Sequence, residues 1–273
     1  MKLIDFYSDT FQKDFINSIK ETGFAVIKNH DIPHDLIAMV QDDWTRYFNQ
    51  PTEEKLKDIN QNDPNFGYFP FKTEQAVGAN TPDLKEHFHF NTNTYVPVNS
   101  EYSKLLFDLL SDMGQILLES LSYEYCQDEM MLPFACESSP NTLMRAIHYP
   151  ALEFEKENIS GVRAAAHEDI NCITLLVAAT SPGLQILHKE LGWIDAPFEE
   201  NCIVVNIGDQ LQMLTNGFYK STSHRVVNPQ VNEPRISIPL FVHFWPHFNL
   251  KENFTAQQYL QERLNQIQVK QND

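Results

Sequence analysis

RAAAHEDINCITLLVA, residues 163–178, is the stretch that decides the fold class. It surrounds a polar centre with small and β-branched residues, and similar short runs lie near 142–149, 184–187, 202–207, 222–228 and 235–244. Turn residues separate these runs, and each run is typical of a short β-strand. Strands at this spacing predict an antiparallel barrel or jelly roll in the second half of the chain.

Helical spacing dominates the first half. A first helix is predicted to end at Gly23, and residues 23–28 follow as a short strand. A second helix is predicted between Pro33 and Pro51, because its apolar residues recur on one face. Residues 52–98 are polar, with Asn, Asp and Pro throughout.

Two further helices complete the expected architecture. Apolar side chains at Leu105, Leu109, Met113, Ile116 and Leu117 predict a long amphipathic helix from residue 100 to about 125. A last helix is predicted after Thr255. We expect a mainly β protein with flanking α-helices in a single domain over residues 1–273, with a mostly helical part at 1–130, a β core carrying the functional site at 140–250 and a C-terminal helix at 254–267.

Composition limits the partners of the chain. The 273 residues include 19 Phe and 42% hydrophobic residues, which is ample material for a packed core. The formal net charge is −17, and the sequence contains no run of Lys and Arg. Nucleic acid and anionic membrane surfaces need a concentrated basic patch, so we expect neither as a partner. A small anionic ligand remains compatible, because one buried Arg can bind a carboxylate.

The cysteines and the N-terminus indicate a cytoplasmic protein. Cys126, Cys136, Cys172 and Cys202 form no C-x-x-C pair, so they are expected to be buried free thiols. The first residues lack the apolar core of a signal peptide, and no stretch approaches the roughly 18 apolar residues of a membrane span. The oligomeric state is not indicated by the sequence.

A candidate metal site combines His167, Asp169 and His224. In a strand, residues i and i+2 point to one face, so His167 and Asp169 can reach one ion while Glu168 points away. Two imidazoles and one carboxylate leave adjacent coordination positions open, as in non-haem Fe(II) oxygenases. His-x-Asp also occurs by chance, and a distant third His among 10 histidines adds little by itself.

A candidate anion site follows at Arg235 and Ser237, which share one face of a predicted strand. A guanidinium beside a hydroxyl is a suitable clamp for a carboxylate. A surface Arg on an edge strand would look the same. The pair becomes informative only together with the His-Asp-His residues.

Ordered motifs along most of the chain resemble the isopenicillin N synthase-like 2-oxoglutarate/Fe(II) oxygenases. In the second half they are Gly192-Trp193-Ile194, Val204-Val205-Asn206-Ile207-Gly208-Asp209, Leu214-Thr215-Asn216-Gly217 and Tyr219-Lys220-Ser221-Thr222-Ser223-His224-Arg225-Val226. In the first half they are Gly23-Phe24-Ala25-Val26-Ile27-Lys28-Asn29-His30, Pro51-Thr52-Glu53-Glu54-Lys55 and Asp83-Leu84-Lys85-Glu86. The resemblance implies a double-stranded β-helix, the jelly-roll core of that family, with flanking helices.

The resemblance also implies the site residues and cofactors. His167, Asp169 and His224 would be the iron ligands and the catalytic centre. Arg235 and Ser237 would hold the distal carboxylate of 2-oxoglutarate, and Tyr149 would assist them as the residues at the equivalent family positions do. The expected cofactors are Fe(II), 2-oxoglutarate as co-substrate and O₂.

The implied reaction is hydroxylation, desaturation or ring closure of a small-molecule substrate, with release of succinate and CO₂. Two alternatives stay open: an Fe(II) oxidase of the same fold that uses no 2-oxoglutarate, and a non-catalytic metal-binding or sensor protein. The sequence does not identify the prime substrate.

Two departures from the family pattern affect this interpretation. Plant enzymes commonly have Asn-Tyr-Tyr-Pro where this chain has Ile147-His148-Tyr149-Pro150. We expect the pocket wall to lose an amide and gain an imidazole, which argues against a plant-type substrate. Asp31 follows His30 where glycine is usual, which is expected to alter only a surface turn.

Other histidines have no assigned role at this point. His87 and His89 have strand-like ligand spacing, but they lie in a family-like segment without ligands. His243 and His247 follow the Arg235 strand among aromatic residues, where a pocket wall and an aromatic core edge are equally compatible.

Overall fold

The computed structural model describes residues 1–76, 80–151, 162–228 and 233–268. Its helices are α1 (Phe11–Thr22), α2 (His34–Phe48), α3 (Thr52–Lys55), α4 (Ser100–Cys126), α5 (Met131–Cys136), α6 (Asp209–Leu214) and α7 (Ala256–Gln268). Its strands are β1 (Leu3–Asp5), β2 (Phe24–Lys28), β3 (Gly67–Phe69), β4 (Glu86–Phe90), β5 (Leu143–Tyr149), β6 (Ala164–His167), β7 (Ile173–Val177), β8 (Leu184–His188), β9 (Gly192–Asp195), β10 (Ile203–Ile207), β11 (His224–Val226), β12 (Arg235–Val242), β13 (Asn249–Lys251) and β14 (Phe254–Thr255).

Two sheets face each other in the β core. The large sheet has the strand order β1-β2-β10-β7-β12-β5-β4-β3, and the small sheet has the order β6-β11-β8-β9. Four of the eight strands in the large sheet come from the first 90 residues of the chain. The predicted run at 163–178 divides into β6 and β7, which belong to different sheets.

The large sheet separates two environments. On one face, Phe88 and Phe90 of β4 pack with Trp44 of α2 in the main hydrophobic core. On the other face, Ile147 and Tyr149 of β5 pack against residues of β6 and β11 in the small sheet. Because successive strand residues point to opposite faces, every second residue of β4, β5 and β12 lies inside the barrel between the sheets.

The long helix α4 covers the core face of the large sheet. Leu106, Leu110 and Leu117 are fully buried, whereas Leu105 and Ile116, which the apolar spacing assigned to the same face, are 48% and 45% exposed. The predicted helix is present, but its apolar face is rotated by about one residue. Two neighbouring rows of Leu and Ile along α4 both fit the 3.6-residue period of a helix. Only packing against the sheet decides which row is buried.

The polar segment 52–98 contains two strands that sequence periodicity missed. Glu86 on β4 is buried, and its carboxylate binds Lys55 Nζ at 2.6 Å and His148 Nδ1 at 2.8 Å. The hydroxyl of Tyr68 on β3 donates to the same carboxylate. Charged residues of this kind are rarely buried unless they are paired, so the segment looks solvent-exposed when only its composition is read.

Three of the four cysteines are buried free thiols, while Cys126 is exposed, contrary to expectation. The Cys126 Sγ caps the end of α4 by donating to the Ser122 carbonyl at 3.3 Å. Among the described residues, no helix combines the length and apolar character needed to cross a bilayer.

Gly208 connects the large sheet to the loop that follows β6. Its amide donates to the Cys172 carbonyl at 2.9 Å, and the next amide, of Asp209, donates to the Asp169 carbonyl at 2.7 Å. A Cβ atom on Gly208 would lie 2.1 Å from the carbonyl oxygen of Asn171. The close approach of these two backbone segments therefore requires glycine.

We predict that Gly208→Ala destabilises the protein by about 1–3 kcal/mol, because the backbone must move to admit the methyl group. Urea unfolding followed by circular dichroism measures this. Gly114→Ala, inside α4, is the matched control. Its Cβ would lie at an ordinary contact distance of 3.5 Å from the Leu175 side chain, and alanine is favoured over glycine within a helix by roughly 0.5–1 kcal/mol. Equal stability of the Gly208 variant and the wild type would show that the loop tolerates the displacement.

Candidate metal centre

His167 and His224 are brought together by the small sheet. They are directly opposite each other on the antiparallel strands β6 and β11, and their ring centroids are 4.4 Å apart. Phe24 of the large sheet packs edge-on against the His224 ring at 5.5 Å. The register of the small sheet creates this pair, because it aligns two residues that are far apart in the sequence.

Hydrogen bonds orient both imidazole rings. His167 Nδ1 lies 2.7 Å from the Ala165 carbonyl oxygen, and His224 Nδ1 lies 3.2 Å from the Thr222 carbonyl oxygen. A carbonyl oxygen can only accept, so Nδ1 carries the hydrogen in each ring. Both Nε2 atoms are consequently left with a lone pair for a metal, as in most metal-binding histidines.

Asp169 completes the cluster from the loop after β6. Its Oδ2 accepts hydrogen bonds from Thr174 Oγ1 at 2.6 Å and from Asn206 Nδ2 at 2.8 Å. Its Oδ1 lies 3.9 Å from His167 Nε2 and 3.7 Å from His224 Nε2. One carboxylate oxygen is thus held by the large sheet, while the other faces the two imidazoles.

The electrostatics of the cluster keep the Asp169 carboxylate and the His167 Nε2 atom free of protons. Burial alone would raise the pKa of Asp169, but His224, His167 and the two hydrogen bonds to Oδ2 hold it below its ordinary value. Burial and the neighbouring His224 lower the pKa of His167 to about 4. At neutral pH the cluster therefore offers a carboxylate and an uncharged His167.

This donor set fits a divalent transition metal. One ligand atom from each of His167, Asp169 and His224 lies within 4.8 Å of the other two. Two imidazole nitrogens and one carboxylate oxygen suit Fe(II) and leave coordination positions open for other ligands. In the ranges of the chain that the structure describes, no other group of His, Cys, Asp and Glu has this proximity.

Glu168 lies outside the cluster, but strand alternation is not the full reason. Strand β6 ends at His167, so Asp169 is already in a loop and is oriented by Thr174 and Asn206. Glu168 acts electrostatically on Tyr259 of α7 instead. The residues expected to come together do so, through hydrogen bonds between the sheets rather than through one continuous strand.

Arg235 lies on the interior face of β12, directly opposite Tyr149 of β5. It is buried, its Nε donates to the Ser181 carbonyl at 3.0 Å, and its Nη1 has no hydrogen-bond partner among the described residues. Its guanidinium is 5.2 Å from the Tyr149 ring and hydrogen-bonds that residue. Ser237, also buried, follows on the same face. An unpaired buried guanidinium nitrogen needs an acceptor, which a carboxylate supplies.

Arg163 is a second buried cation, which the sequence analysis did not identify. It is 1% exposed, its Nη2 donates to the Glu233 carbonyl, and its Nε and Nη1 have no partner among the described residues. Its guanidinium is 6.0 Å from the Tyr149 ring, and burial together with the nearby charge of Arg235 lowers its pKa. A lone Arg at the edge of an alanine run carries no recognisable signal, so only the fold reveals it.

The other histidines occupy distinct environments. His148 stacks on Phe48 of α2 on the core face of the large sheet, so the expectation that it enters the pocket wall is wrong. The residue that does line the interior at this point is Ile147.

His243 is buried near Asp169, and burial lowers its pKa to about 4. His87 and His89 lie on the interior face of β4 and join no metal cluster among the described residues.

Two family profiles match the chain. The profile of the 2OG-Fe(II) oxygenase superfamily matches residues 140–244, which include all three residues of the candidate metal centre. The profile of the N-terminal region of non-haem dioxygenases in morphine synthesis matches residues 3–106.

Individual relatives span most of the chain. The 2-oxoglutarate-Fe(II) type oxidoreductase hxnY of Emericella nidulans is 30% identical over 254 residues, which is 82% of this chain and 71% of the relative. The 1-aminocyclopropane-1-carboxylate oxidase 1 of Cucumis melo is 30% identical over 233 residues, covering 80% of this chain and 69% of the relative.

Solved structures have the same fold. A Shewanella oneidensis protein described as an oxygenase superposes with a TM-score of 0.83 at 36% identity, with 97% of each chain covered. A full-length Neurospora crassa protein in complex with alpha-KG superposes with a TM-score of 0.82 at 25% identity, covering 96% of this chain and 95% of that chain. The predicted jelly-roll fold with flanking helices is confirmed.

We predict that His167→Ala, Asp169→Ala and His224→Ala each abolish stoichiometric Fe(II) binding, because two protein ligands remain in each variant. Glu168→Ala, the matched control, should retain it, since its carboxylate is outside the cluster. Metal analysis of the anaerobically loaded proteins measures the difference. Equal loss of iron in the Glu168 variant would contradict the ligand assignment.

Proposed function

Because this chain belongs to the 2OG-Fe(II) oxygenase superfamily and is an Fe(II)- and 2-oxoglutarate-dependent dioxygenase, we propose that His167, Asp169 and His224 hold its iron. We further propose that Arg235, with Ser237 and Tyr149, binds the distal carboxylate of 2-oxoglutarate. The substrate would be a small molecule that is hydroxylated, desaturated or cyclised, with release of succinate and CO₂.

The observation that carries the proposal is the buried, unpaired Nη1 of Arg235 on the face that opposes the small sheet. Tyr149, its cross-strand partner, packs against Ala164 of β6 and Val226 of β11. Those two residues lie on the strands that carry His167 and His224. A ligand bound to Arg235 would therefore extend along the barrel interior towards the metal centre.

Local charge explains how an anionic co-substrate binds to a chain with a net charge of −17. Arg235 and Arg163 place two guanidiniums beside one tyrosine ring, and each repels the other. A carboxylate between them would relieve that repulsion and satisfy nitrogens that otherwise lack acceptors. We infer that Arg163 is a second cation of the 2-oxoglutarate site.

Bound iron and 2-oxoglutarate together supply the oxidising chemistry, in which O₂ is activated and the co-substrate is decarboxylated. The chain positions the participants. Asn206 and Thr174 keep the Asp169 carboxylate oriented, and the Nδ1–H bonds of the two histidines leave their Nε2 atoms free, so these three residues would hold the iron. Ile147 and Val226 add apolar surface to the barrel interior beside Tyr149.

We also propose that residues 1–273 act as one oxygenase domain. Strands from both halves of the chain share the large sheet, so neither half completes the barrel alone. The three buried free thiols are compatible with the reducing cytoplasm, which is the location we propose.

The test of the co-substrate proposal is the visible charge-transfer band that forms when 2-oxoglutarate chelates Fe(II) without oxygen. We predict that Arg235→Ala raises the midpoint of this titration roughly 30- to several-thousand-fold, because truncating one partner of a buried charge pair costs about 2–5 kcal/mol. Arg235→Lys should recover only part of the affinity, since an ammonium lacks the planar fork. Arg46→Ala on the exposed side of α2 is the control.

Two outcomes would overturn parts of this proposal. If the iron-loaded wild type never develops the band, the same-fold oxidase function replaces 2-oxoglutarate dependence. If the band forms and Arg235→Ala leaves the midpoint unchanged, the carboxylate is bound elsewhere.

For Arg163 we predict that Arg163→Gln raises the same midpoint roughly 10- to 100-fold, because a charge-assisted hydrogen bond contributes about 1.5–3 kcal/mol. Iron binding should be unchanged, since Arg163 contacts none of the ligands. Thermal melting of the variant separates a folding defect from a binding defect. An unchanged midpoint in a folded Arg163→Gln protein would restrict Arg163 to its structural bond with the Glu233 carbonyl.

A further inference from the structure

A second polar wall lies inside the barrel, on strands β4 and β5. Arg145 and His89 are direct cross-strand partners, and His87 precedes His89 by two residues on the same face. Side chains directly opposite on antiparallel strands have Cβ atoms about 4.5–5.5 Å apart, so these groups line one surface. None of them belongs to the metal cluster or to the Arg235 site.

Sheet register places this wall beside the Arg235 site. His87 is opposite Ile147, and Ile147 is opposite Ser237 on β12, so all three share the interior face. The positive charge of Lys85, which precedes this pair on the chain, acts on His167. A molecule bound between the Arg235 site and β4 would therefore lie on the interior face, which packs against the strands that carry His167 and His224.

The hydrogen bond of His89 defines what its free nitrogen can do. Its Nδ1 lies 2.8 Å from the Asn65 carbonyl oxygen, so Nδ1 carries the hydrogen. Burial and the charge of Arg145 keep the pKa of His89 well below its ordinary value, and the ring is neutral. Its buried, unpaired Nε2 is thus an acceptor without a donor.

Arg145 supplies the complementary donor. Its Nη1 donates to Glu74 Oε2 at 3.1 Å, its guanidinium lies 5.4 Å from the Phe241 ring, and its buried Nε–H has no acceptor. Its charge is already balanced locally. Lys85 and Arg145 bind Glu74, and Lys85 also binds Asp83 at 2.8 Å, so two cations meet two carboxylates.

We propose that Arg145, His87 and His89 recognise the prime substrate, and that this wall selects a cyclic amide or imide, with its N–H beside its C=O, over a carboxylate. The inference rests on the proposed function, whose reaction requires a substrate at this place. The amide carbonyl would accept from Arg145 Nε–H, and the amide N–H would donate to His89 Nε2. His87 is 1% exposed, and its Nε2 is a further buried polar atom without a hydrogen-bond partner among the described residues.

Two features oppose an anionic substrate here. The lone pair of His89 Nε2 would face a carboxylate oxygen that has no hydrogen to donate. The cations of the wall also form ion pairs with carboxylates, whereas Arg235 and Arg163 form none with the described residues. A flat ring is favoured because Phe69 stacks on His87 at 4.5 Å and lies 4.7 Å from His89, which makes the wall aromatic.

The test uses the full chain loaded with zinc(II) and 2-oxoglutarate, which do not turn over. Long-range ¹H–¹⁵N NMR at pH 7 should find His89 protonated on Nδ1 only. Titrations then compare 2-pyridone, which has the N–H and C=O edge, with 2-pyrone, whose ring oxygen replaces the N–H, and with benzoate. We expect 2-pyridone to bind roughly 10- to 100-fold more tightly than 2-pyrone, because 2-pyrone leaves the buried His89 acceptor unpaired.

A variant of His89 tests whether this residue causes the preference for 2-pyridone over 2-pyrone. In His89→Phe, which keeps an aromatic ring, the two probes should bind equally, whereas the exposed-site control His34→Phe should retain the preference. An Nε2-protonated His89, equal binding of 2-pyridone and 2-pyrone by the wild type, tighter binding of benzoate, or no binding of 2-pyridone would each overturn the inference. Binding of zinc(II) and 2-oxoglutarate is measured first. A protein that does not bind them contradicts the proposed function, whereas a protein that binds them but does not prefer 2-pyridone contradicts only the proposed substrate recognition.

Discussion

The structure depends on one carboxylate, Asp169, which is shared between two sheets. Its Oδ2 accepts from Thr174 and Asn206 on the large sheet, while its Oδ1 faces the two histidines on the small sheet. Burying a carboxylate is costly unless it is hydrogen-bonded, so the two sheets must keep this spacing. The position of the loop after β6, and with it the close approach at Gly208, follows from that requirement.

The barrel interior differs from an ordinary core because its polar groups are incompletely paired. On the core face, the buried charges are matched, as with Lys55 and His148 on Glu86. Inside the barrel, Arg163, Arg235 and His89 keep nitrogen atoms without partners. Unpaired buried polar atoms oppose folding, and they persist where a ligand supplies the missing partner. Among the described residues, the charged groups of the Glu86 cluster on the core face are therefore matched, whereas the guanidiniums of Arg163 and Arg235 keep nitrogen atoms that a ligand can pair.

Charge is distributed with the same distinction. Among the described residues, neither Arg235 nor Arg163 forms an ion pair with a carboxylate, which suits a dianionic co-substrate. The cations of the β4 and β5 wall are already paired with Glu74 and Asp83, which suits a neutral substrate. One barrel can thus bind an anionic and an uncharged molecule side by side, each at the end that matches its charge.

The local sequence determined the main helices around the core and most strands of the second half. It also determined the i, i+2 spacing of His167 with Asp169 and of Arg235 with Ser237. These follow from periodicities of 3.6 and 2 residues, which neighbouring residues are enough to define. Only the tertiary structure decided that β4 is a strand at all, that His148 faces the core, and that Arg163 and the wall on β4 and β5 enter the interior. Those outcomes depend on register between strands that are distant in the chain, and a one-residue shift in register would exchange the core face and the interior face of every residue involved.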